Sequence, residues 1–391
     1  MKKIIARAAL LFCAVIPFPQ KAETIDMIAL QIVNGSPDLK AAALDNEALA
    51  VSLLTENNLP DPEVEGEYMI GPSGVKNRWG VGVSWGFDWF GSYSAVKRES
   101  DAKKTVADLR LEEQYRDSFI AIKQLLLDYI LQDKQMKTLS GIISMTDSIY
   151  SISKKSMERK ELTRLDINKL EIERAGLLAR LAEVEDARET TLTALNVMAG
   201  IDCSSHLSKM VCEFPDIVVP DVIPELSSSV SVRAAMSEAE AAERGEKVAA
   251  MQSFPGVSIG YSHAFEDGTH FNGVQLGVSL PVFSSKNKKK AAKAATVAAR
   301  YRAQVVKDKA NQELVMETRR LKSILENLRN LSPVVNNVDN LELLQKAYSA
   351  KTITLLDYLN ERNYFMEAVM NLFSLQYSAA SSYLNIARLK Y

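Results

Sequence analysis

The chain has 391 residues, enough for two or three ordinary domains and a large core. Lys and Arg total 47 against 49 Asp and Glu, which argues against a general affinity for nucleic acid. Only three His and three Cys occur, leaving little material for a metal or nucleophile site; no cofactor, metal or enzymatic activity is expected.

In chain order, Lys2, Lys3 and Arg7 precede a short apolar run from Ala8 to Ile16, which Pro17 and Pro19 end. This pattern predicts a secretory signal peptide over residues 1–22. The run is too short for a transmembrane helix, and no later stretch is long enough either. Ser36-Pro37-Asp38 supplies an N-cap, a Pro at the first helical position and an early acid, so a helix is predicted from there to about Asn57. Pro60 and Pro62 stop it.

Two strands follow, over about 63–70 and 75–88, turned by Gly71-Pro72-Ser73-Gly74. In the second, Trp79, Val81, Val83, Trp85 and Phe87 alternate with Arg78, Gly80, Gly82, Ser84, Gly86 and Asp88. Large apolar residues on one face and small polar ones on the other suit a transmembrane β-strand or a soluble sheet over a core. A helical hairpin is expected over about 92–199, its first arm reaching roughly 90 Å at the helical rise. Leu170, Leu177, Val184, Thr191 and Met198 recur every seven residues on the returning arm, predicting coiled-coil packing.

A connector over 200–226 carries Cys203 and Cys212 with three prolines. In an exported chain these two form a candidate short-loop disulfide. Residues 227–391 then restate 23–199. Strands are predicted at about 256–265 and 272–283, the second with Val274, Leu276, Val278 and Leu280 on its apolar face, and a helical hairpin at about 286–390. Lys286–Lys293 is a basic run after the last strand, suited to anionic lipid or to a solvated helix start. Leu359, Met366, Phe373 and Ala380 repeat the heptad, while Pro333, Asn336 and Asn337 interrupt the first arm of this hairpin.

The restatement is sharpest in two segments, Lys160-Glu161-Leu162-Thr163-Arg164-Leu165-Asp166 and Lys351-Thr352-Ile353-Thr354-Leu355-Leu356-Asp357. Lys40-Ala41-Ala42 against Arg233-Ala234-Ala235, Pro62 against Pro255, and Gly82-Val83-Ser84 against Gly277-Val278-Ser279 keep an offset of roughly 190–195. The chain therefore reads as a tandem duplication of helix, β-hairpin and long helical hairpin. Four strands cannot close a barrel, and open edges are not tolerated in lipid, so a membrane reading requires several chains. A Gly/Ser-rich inner face suits three chains and twelve strands.

These features, with Ser36–Ala42, Pro255-Gly256-Val257-Ser258 and Gly277–Phe283, resemble the TolC-type outer membrane efflux proteins. The resemblance implies a mainly α fold with a small β part: a homotrimer with a twelve-stranded β-barrel in outer-membrane lipid above a periplasmic α-helical barrel. It implies a passive exit duct fed by an inner-membrane pump through a periplasmic adaptor. By the same resemblance Asp357 is the first acid of the periplasmic gate. Asn360 stands where the second acid is expected, and Asp166 and Asn168 hold the equivalent places in the first copy. The physical alternative is that Asp166 and Asp357 cap the returning helices. Lys160, Leu162, Thr163, Lys351, Ile353 and Thr354 are the candidate adaptor contacts, with plain turn chemistry as the competing reading. A periplasmic coiled-coil adaptor or structural protein without a pore is the other functional reading.

Overall fold

The computed structural model describes residues 23–390 apart from 74–75, 209, 211, 219–227, 284 and 337–339. The expected signal peptide and part of the first β-turn lie outside the described residues. The fold is mainly helical. The described elements run α1 (Glu23–Gly35), α2 (Pro37–Thr55), β1 (Glu63–Met69), β2 (Arg78–Phe87), α3 (Phe90–Glu158), α4 (Arg164–Ala199), α5 (Ser204–Leu207), α6 (Val230–Met251), β3 (Gly256–Glu266), β4 (Thr269–Ser279), α7 (Lys288–Asn336), α8 (Asn340–Ser349) and α9 (Leu355–Lys390). No helix among the described residues is long and apolar enough to cross a membrane.

The chain divides into two compact units, each drawn from both halves of the sequence. The first combines the described residues up to Ala41 with Gln114–Glu225 and Asn311–Tyr391. It is a helical body whose arms meet along the expected heptads. Leu170, Leu177, Thr191, Leu359, Met366 and Ala380 are buried, while Val184, Met198 and Phe373 are half-buried. One layer joins Leu139, Ile142 and Ile143 of α3 to Leu177 of α4 and Met366 of α9. This is the interleaving that a 3.5-residue apolar repeat produces between antiparallel helices.

α1 had no place in the sequence reading. Ile25, Ile28, Ala29 and Ile32, at the spacing of one helical face, are buried. Asp26 pairs with the fully buried Lys123 of α3. Burial pushes the Lys123 ammonium below its ordinary value, against the opposing pull of Asp26. α4 ends at Gly200, which has φ 67° and donates its N–H to Asn196 O at 2.9 Å. A Cβ there would stand 2.6 Å from Pro37 Cγ, so glycine answers both the left-handed turn and the packing of α2. Pro333 lies inside α7, which continues to Asn336, one of the two asparagines expected with it to interrupt this arm; Asn337 lies outside the described residues.

The disulfide expected between Cys203 and Cys212 does not form; both are free thiols. Cys203 is buried against the Leu195 and Ile201 carbonyls, whereas Cys212 turns toward the Met210 carbonyl and Asp133. Burial raises both thiols above their ordinary value.

The second unit, Ala42–Glu113 with Leu226–Ala310, holds the sheet. Its order is β1-β2-β3-β4, antiparallel throughout. The two hairpins are joined by the β2–β3 ladder, from Trp79 opposite Phe265 to Phe87 opposite Val257. β4 begins three residues earlier than predicted because Asp267 (φ 48°) and Gly268 (φ 82°) make a two-residue turn. Both positive φ values are those of a type I′ hairpin, which a longer loop would not need. It also ends at Ser279, short of the predicted 283, since Pro281 has no N–H to give a ladder.

Candidate functional site

The duplicated heptapeptide forms the same turn twice, at the two ends of the helical body's hairpins. After α3, Lys160 takes φ 60° and donates its N–H to Met157 O at 2.8 Å, while Glu161 N–H reaches Ser156 O at 2.9 Å. After α8, Lys351 takes φ 58°, with Lys351 N–H to Tyr348 O at 2.9 Å and Thr352 N–H to Ala347 O at 3.0 Å. Each is a Schellman closure with lysine where glycine is usual.

Three residues after each lysine, a threonine opens the returning helix. Thr163 Oγ1 accepts from Asp166 N–H at 3.3 Å, and Asp166 Oδ2 accepts from the Thr163 N–H at 3.0 Å and its hydroxyl at 2.7 Å. Thr354 and Asp357 repeat this at 3.2, 3.1 and 2.6 Å. These are capping boxes with Asp in the third position, which explains the Thr-x-x-Asp spacing without appeal to any partner. The hydrogen bonds from Thr163 and Thr354 hold both carboxyls below the usual carboxylate range, so both remain charged near neutrality. The two aspartates therefore do cap helices; Asp357 is exposed as well, and Asp166 half-exposed. Asn168 and Asn360 are exposed on the second turns of α4 and α9.

The structure brings the two tips together. Lys351 Nζ lies 2.8 Å from Glu161 Oε2, and this bond is the main reason the Glu161 carboxyl sits below its ordinary value. Between the tips is an open cleft of about 440 Å³, with Ile152, Leu162, Ile353 and Leu355 on its apolar side and Glu161, Lys351 and Thr354 at its polar edge. Thus Leu162 and Ile353, exchanged between the copies, line one cleft. Lys160 and Thr163 are exposed beside it, Lys160 carrying the strained φ; among the described residues the cross-tip ion pair is made by Lys351.

Behind the tips, Ile149, Leu170, Tyr348, Leu355, Tyr358 and Leu359 form a small core. Tyr348 and Tyr358 rings lie 5.6 Å apart, and the Tyr348 hydroxyl shares a 2.7 Å hydrogen bond with Ser153. One turn further stands a fully buried cation, which the sequence reading missed. Arg362 Nη1 donates to Thr146 Oγ1 at 3.0 Å, and Nη2 to Glu173 Oε2 at 2.7 Å and Asn363 Oδ1 at 2.9 Å. It ties α9 to α3 and α4. A lone Arg in an amphipathic heptad looks like a surface residue, so no local signal marks it.

In the sheet unit, the register puts the expected lipid-facing residues on one face. Trp79, Val81, Val83 and Trp85 of β2, and Val274, Leu276 and Val278 of β4, are all exposed, Leu276 by 78%. Phe87 is half-buried, and Leu280 is exposed just past the end of β4. Ile259 and Tyr261 of β3 fill the space between. The opposite face carries Gly80, Gly82, Ser84, Ser258, Gly260, Ser262, Gly273 and Gly277. Glu63, Glu65 and Glu67 also lie there, opposite Ser84, Gly82 and Gly80. These three carboxylates were legible from their alternation with Val64, Gly66 and Tyr68 but were not singled out. β1 and β4 each leave one edge unpaired among the described strands. No cluster of three or more His, Cys, Asp or Glu that could hold a metal occurs among the described residues.

No protein-family model and no curated protein matches the sequence. The fold, however, is similar to several solved outer membrane channels. The Campylobacter jejuni CmeC outer membrane channel superposes with a TM-score of 0.80 at 17% identity, over 94% of this chain and 85% of that one. A membrane protein from Pseudomonas aeruginosa gives 0.81 at 13%, over 94% and 90%. The open state of the Neisseria gonorrhoeae MtrE outer membrane channel gives 0.74 at 16%, over 94% and 88%.

Proposed function

We propose that this chain, which has the fold of the TolC-type outer membrane efflux channels, is the outer-membrane duct of a tripartite efflux or secretion system. The observation that carries the reading is the sheet: an antiparallel four-stranded surface with its large apolar side chains exposed, its small polar side chains opposite, and two unpaired edges. Such a surface is unfavourable in water and, with open edges, equally unfavourable in lipid. Joining β1 of one chain to β4 of the next in a three-fold ring removes both problems, giving twelve strands, lipid outside and a Gly/Ser lumen inside.

In this assembly the paired hairpin tips form the periplasmic entrance. Asp166 and Asp357, held charged by their caps, repeat around the three-fold axis and favour cations over anions, with Asn168 and Asn360 adding uncharged polar groups. The cleft between Leu162 and Ile353, edged by Glu161 and Lys351, receives the hairpin of a periplasmic adaptor, and an inner-membrane pump supplies the energy. Arg362 holds the tip closed through its three-helix link. Residues 1–22 are the export signal. The two sequence repeats, 23–199 and 227–391, supply quasi-equivalent positions around the ring, joined by 200–226.

Purified in detergent and placed in a planar bilayer, the protein forms trimers that conduct ions with cation preference. Asp357→Ala lowers that preference. Unchanged selectivity would remove Asp357 from the entrance, and a water-soluble monomer in periplasmic extracts would overturn the duct itself in favour of an adaptor-like protein.

A further inference from the structure

Two of the three histidines, 57 and 64 residues from the third in sequence, meet on the apolar face near the β3–β4 turn. His263 stands opposite Asn272 and His270 opposite Phe265, so the two rings are diagonal neighbours across the hairpin. They stack with centroids 5.2 Å apart. We propose that His263 and His270 form a binding site for a borderline transition-metal ion of the Zn²⁺ class, which clasps the β3–β4 hairpin.

The hydrogen bonds set the tautomers. Asn272 Oδ1 accepts from the Tyr261 hydroxyl at 2.8 Å and from His263 Nδ1, also at 2.8 Å. An amide oxygen can only accept, so with Asn272 Oδ1 facing it His263 carries its proton on Nδ1 and turns the Nε2 lone pair outward. His270 Nδ1 faces that lone pair at 3.2 Å. Two imidazole nitrogens bound at about 2.0–2.1 Å to one tetrahedral ion stand about 3.3 Å apart, so the pair already has the bite of a shared metal.

An ion entering there replaces the Nδ1 proton of His270, which moves to Nε2 of the same ring, so no proton need leave. The outer support is also present. A metal-bound imidazole ordinarily donates its far N–H to an oxygen, as His263 does to Asn272. Trp79, 5.8 Å from His263, and Phe265, 4.9 Å from His270, wall the rings on either side. All-nitrogen donors suit Zn²⁺, Cu²⁺ or Ni²⁺ and disfavour Ca²⁺ and Mg²⁺, which take oxygen. Two coordination positions are left for water.

The test is equilibrium dialysis of the full-length, chelator-washed protein in detergent against ZnCl₂. One Zn²⁺ per chain is expected, lost in both His263→Gln and His270→Gln, kept in His206→Gln, and bound roughly 10- to 100-fold more weakly in Asn272→Ala. Zn²⁺ uptake that persists undiminished in His270→Gln, or that falls equally in His206→Gln, overturns the site. Should a histidine variant fail to fold, diethylpyrocarbonate modification of the parent decides. Zn²⁺ must slow the reaction of His263 and His270 but not of His206; equal rates with and without the metal overturn it.

Discussion

Arg362 and Glu173 form an asymmetric ion pair: the arginine side chain is fully buried, whereas 37% of the glutamate remains exposed. The two single truncations should therefore differ. Glu173→Ala leaves a guanidinium in the helical interior with only Thr146 and Asn363 as partners, and an uncompensated buried charge destabilises by about 3–5 kcal/mol. Arg362→Met leaves instead a carboxylate that water can reach and a Thr146 hydroxyl that still donates to Ile142 O at 2.8 Å. It also removes an Nε with no hydrogen-bond partner, so about 1–2 kcal/mol is expected. Native-state hydrogen exchange of the amides around Thr146, Glu173 and Arg362 reads the difference. At 1.4 kcal/mol per tenfold, Glu173→Ala should speed exchange by roughly 10²- to 4 × 10³-fold, and Arg362→Met by roughly tenfold. Equal effects, or the reverse order, would refute the buried-cation reasoning. If the pair also holds the tip shut, both variants should raise single-channel conductance.

Other outcomes follow from the tips and the sheet. Lys160→Gly should stabilise the first tip by about 1 kcal/mol by relieving its φ of 60°, seen as a higher melting temperature. Lys351→Gly should gain less, because it also loses the bond to Glu161. Thr163→Ala and Thr354→Ala should each cost about 1 kcal/mol of helix capping, measurable as faster proteolysis at the tips. Since Asp166 and Asp357 have folded-state pKa values below their unfolded ones, their stabilisation is complete above the unfolded carboxylate value of about 3.9. It is lost as pH falls through the lower folded values; the protection of the tip amides, relative to their intrinsic exchange rate at each pH, should be flat from neutrality to about pH 5 and fall below the unfolded value. In the sheet, Leu276→Arg should block membrane insertion by adding about 2–4 kcal/mol on the proposed lipid face. Replacing Glu63, Glu65 and Glu67 by Gln should reduce cation preference in bilayers, whereas unchanged selectivity would place them away from the ion path.

Periodicity made much of this molecule legible. The period of 2 in Trp79–Phe87 and Val274–Val278 sorted the sheet faces correctly, because a strand side chain has only two directions to take. The period of 7 found the buried seam of α4 and α9 for the same reason. The repeated Lys-to-Asp segment announced that both tips share one turn, since capping chemistry is written within seven consecutive residues. Individual side-chain contacts had no such signature. The absent Cys203–Cys212 bridge, the Lys351–Glu161 link, the buried Arg362 and the His263–His270 pair all depend on which side chains the fold brings within about 3 Å, which spacing alone does not specify.

By itself the sequence determined most of the elements, though not α1, with their order and the two faces of the sheet, because each follows from local propensity and the geometry of one helix or strand. Only the tertiary structure decided that β2 and β3 join the two hairpins into one sheet, that a cleft opens between the tips, and that one arginine is buried among three helices. Those outcomes are set by the simultaneous packing of segments nearly two hundred residues apart, where burial and hydrogen-bond satisfaction of the whole decide what no short stretch encodes.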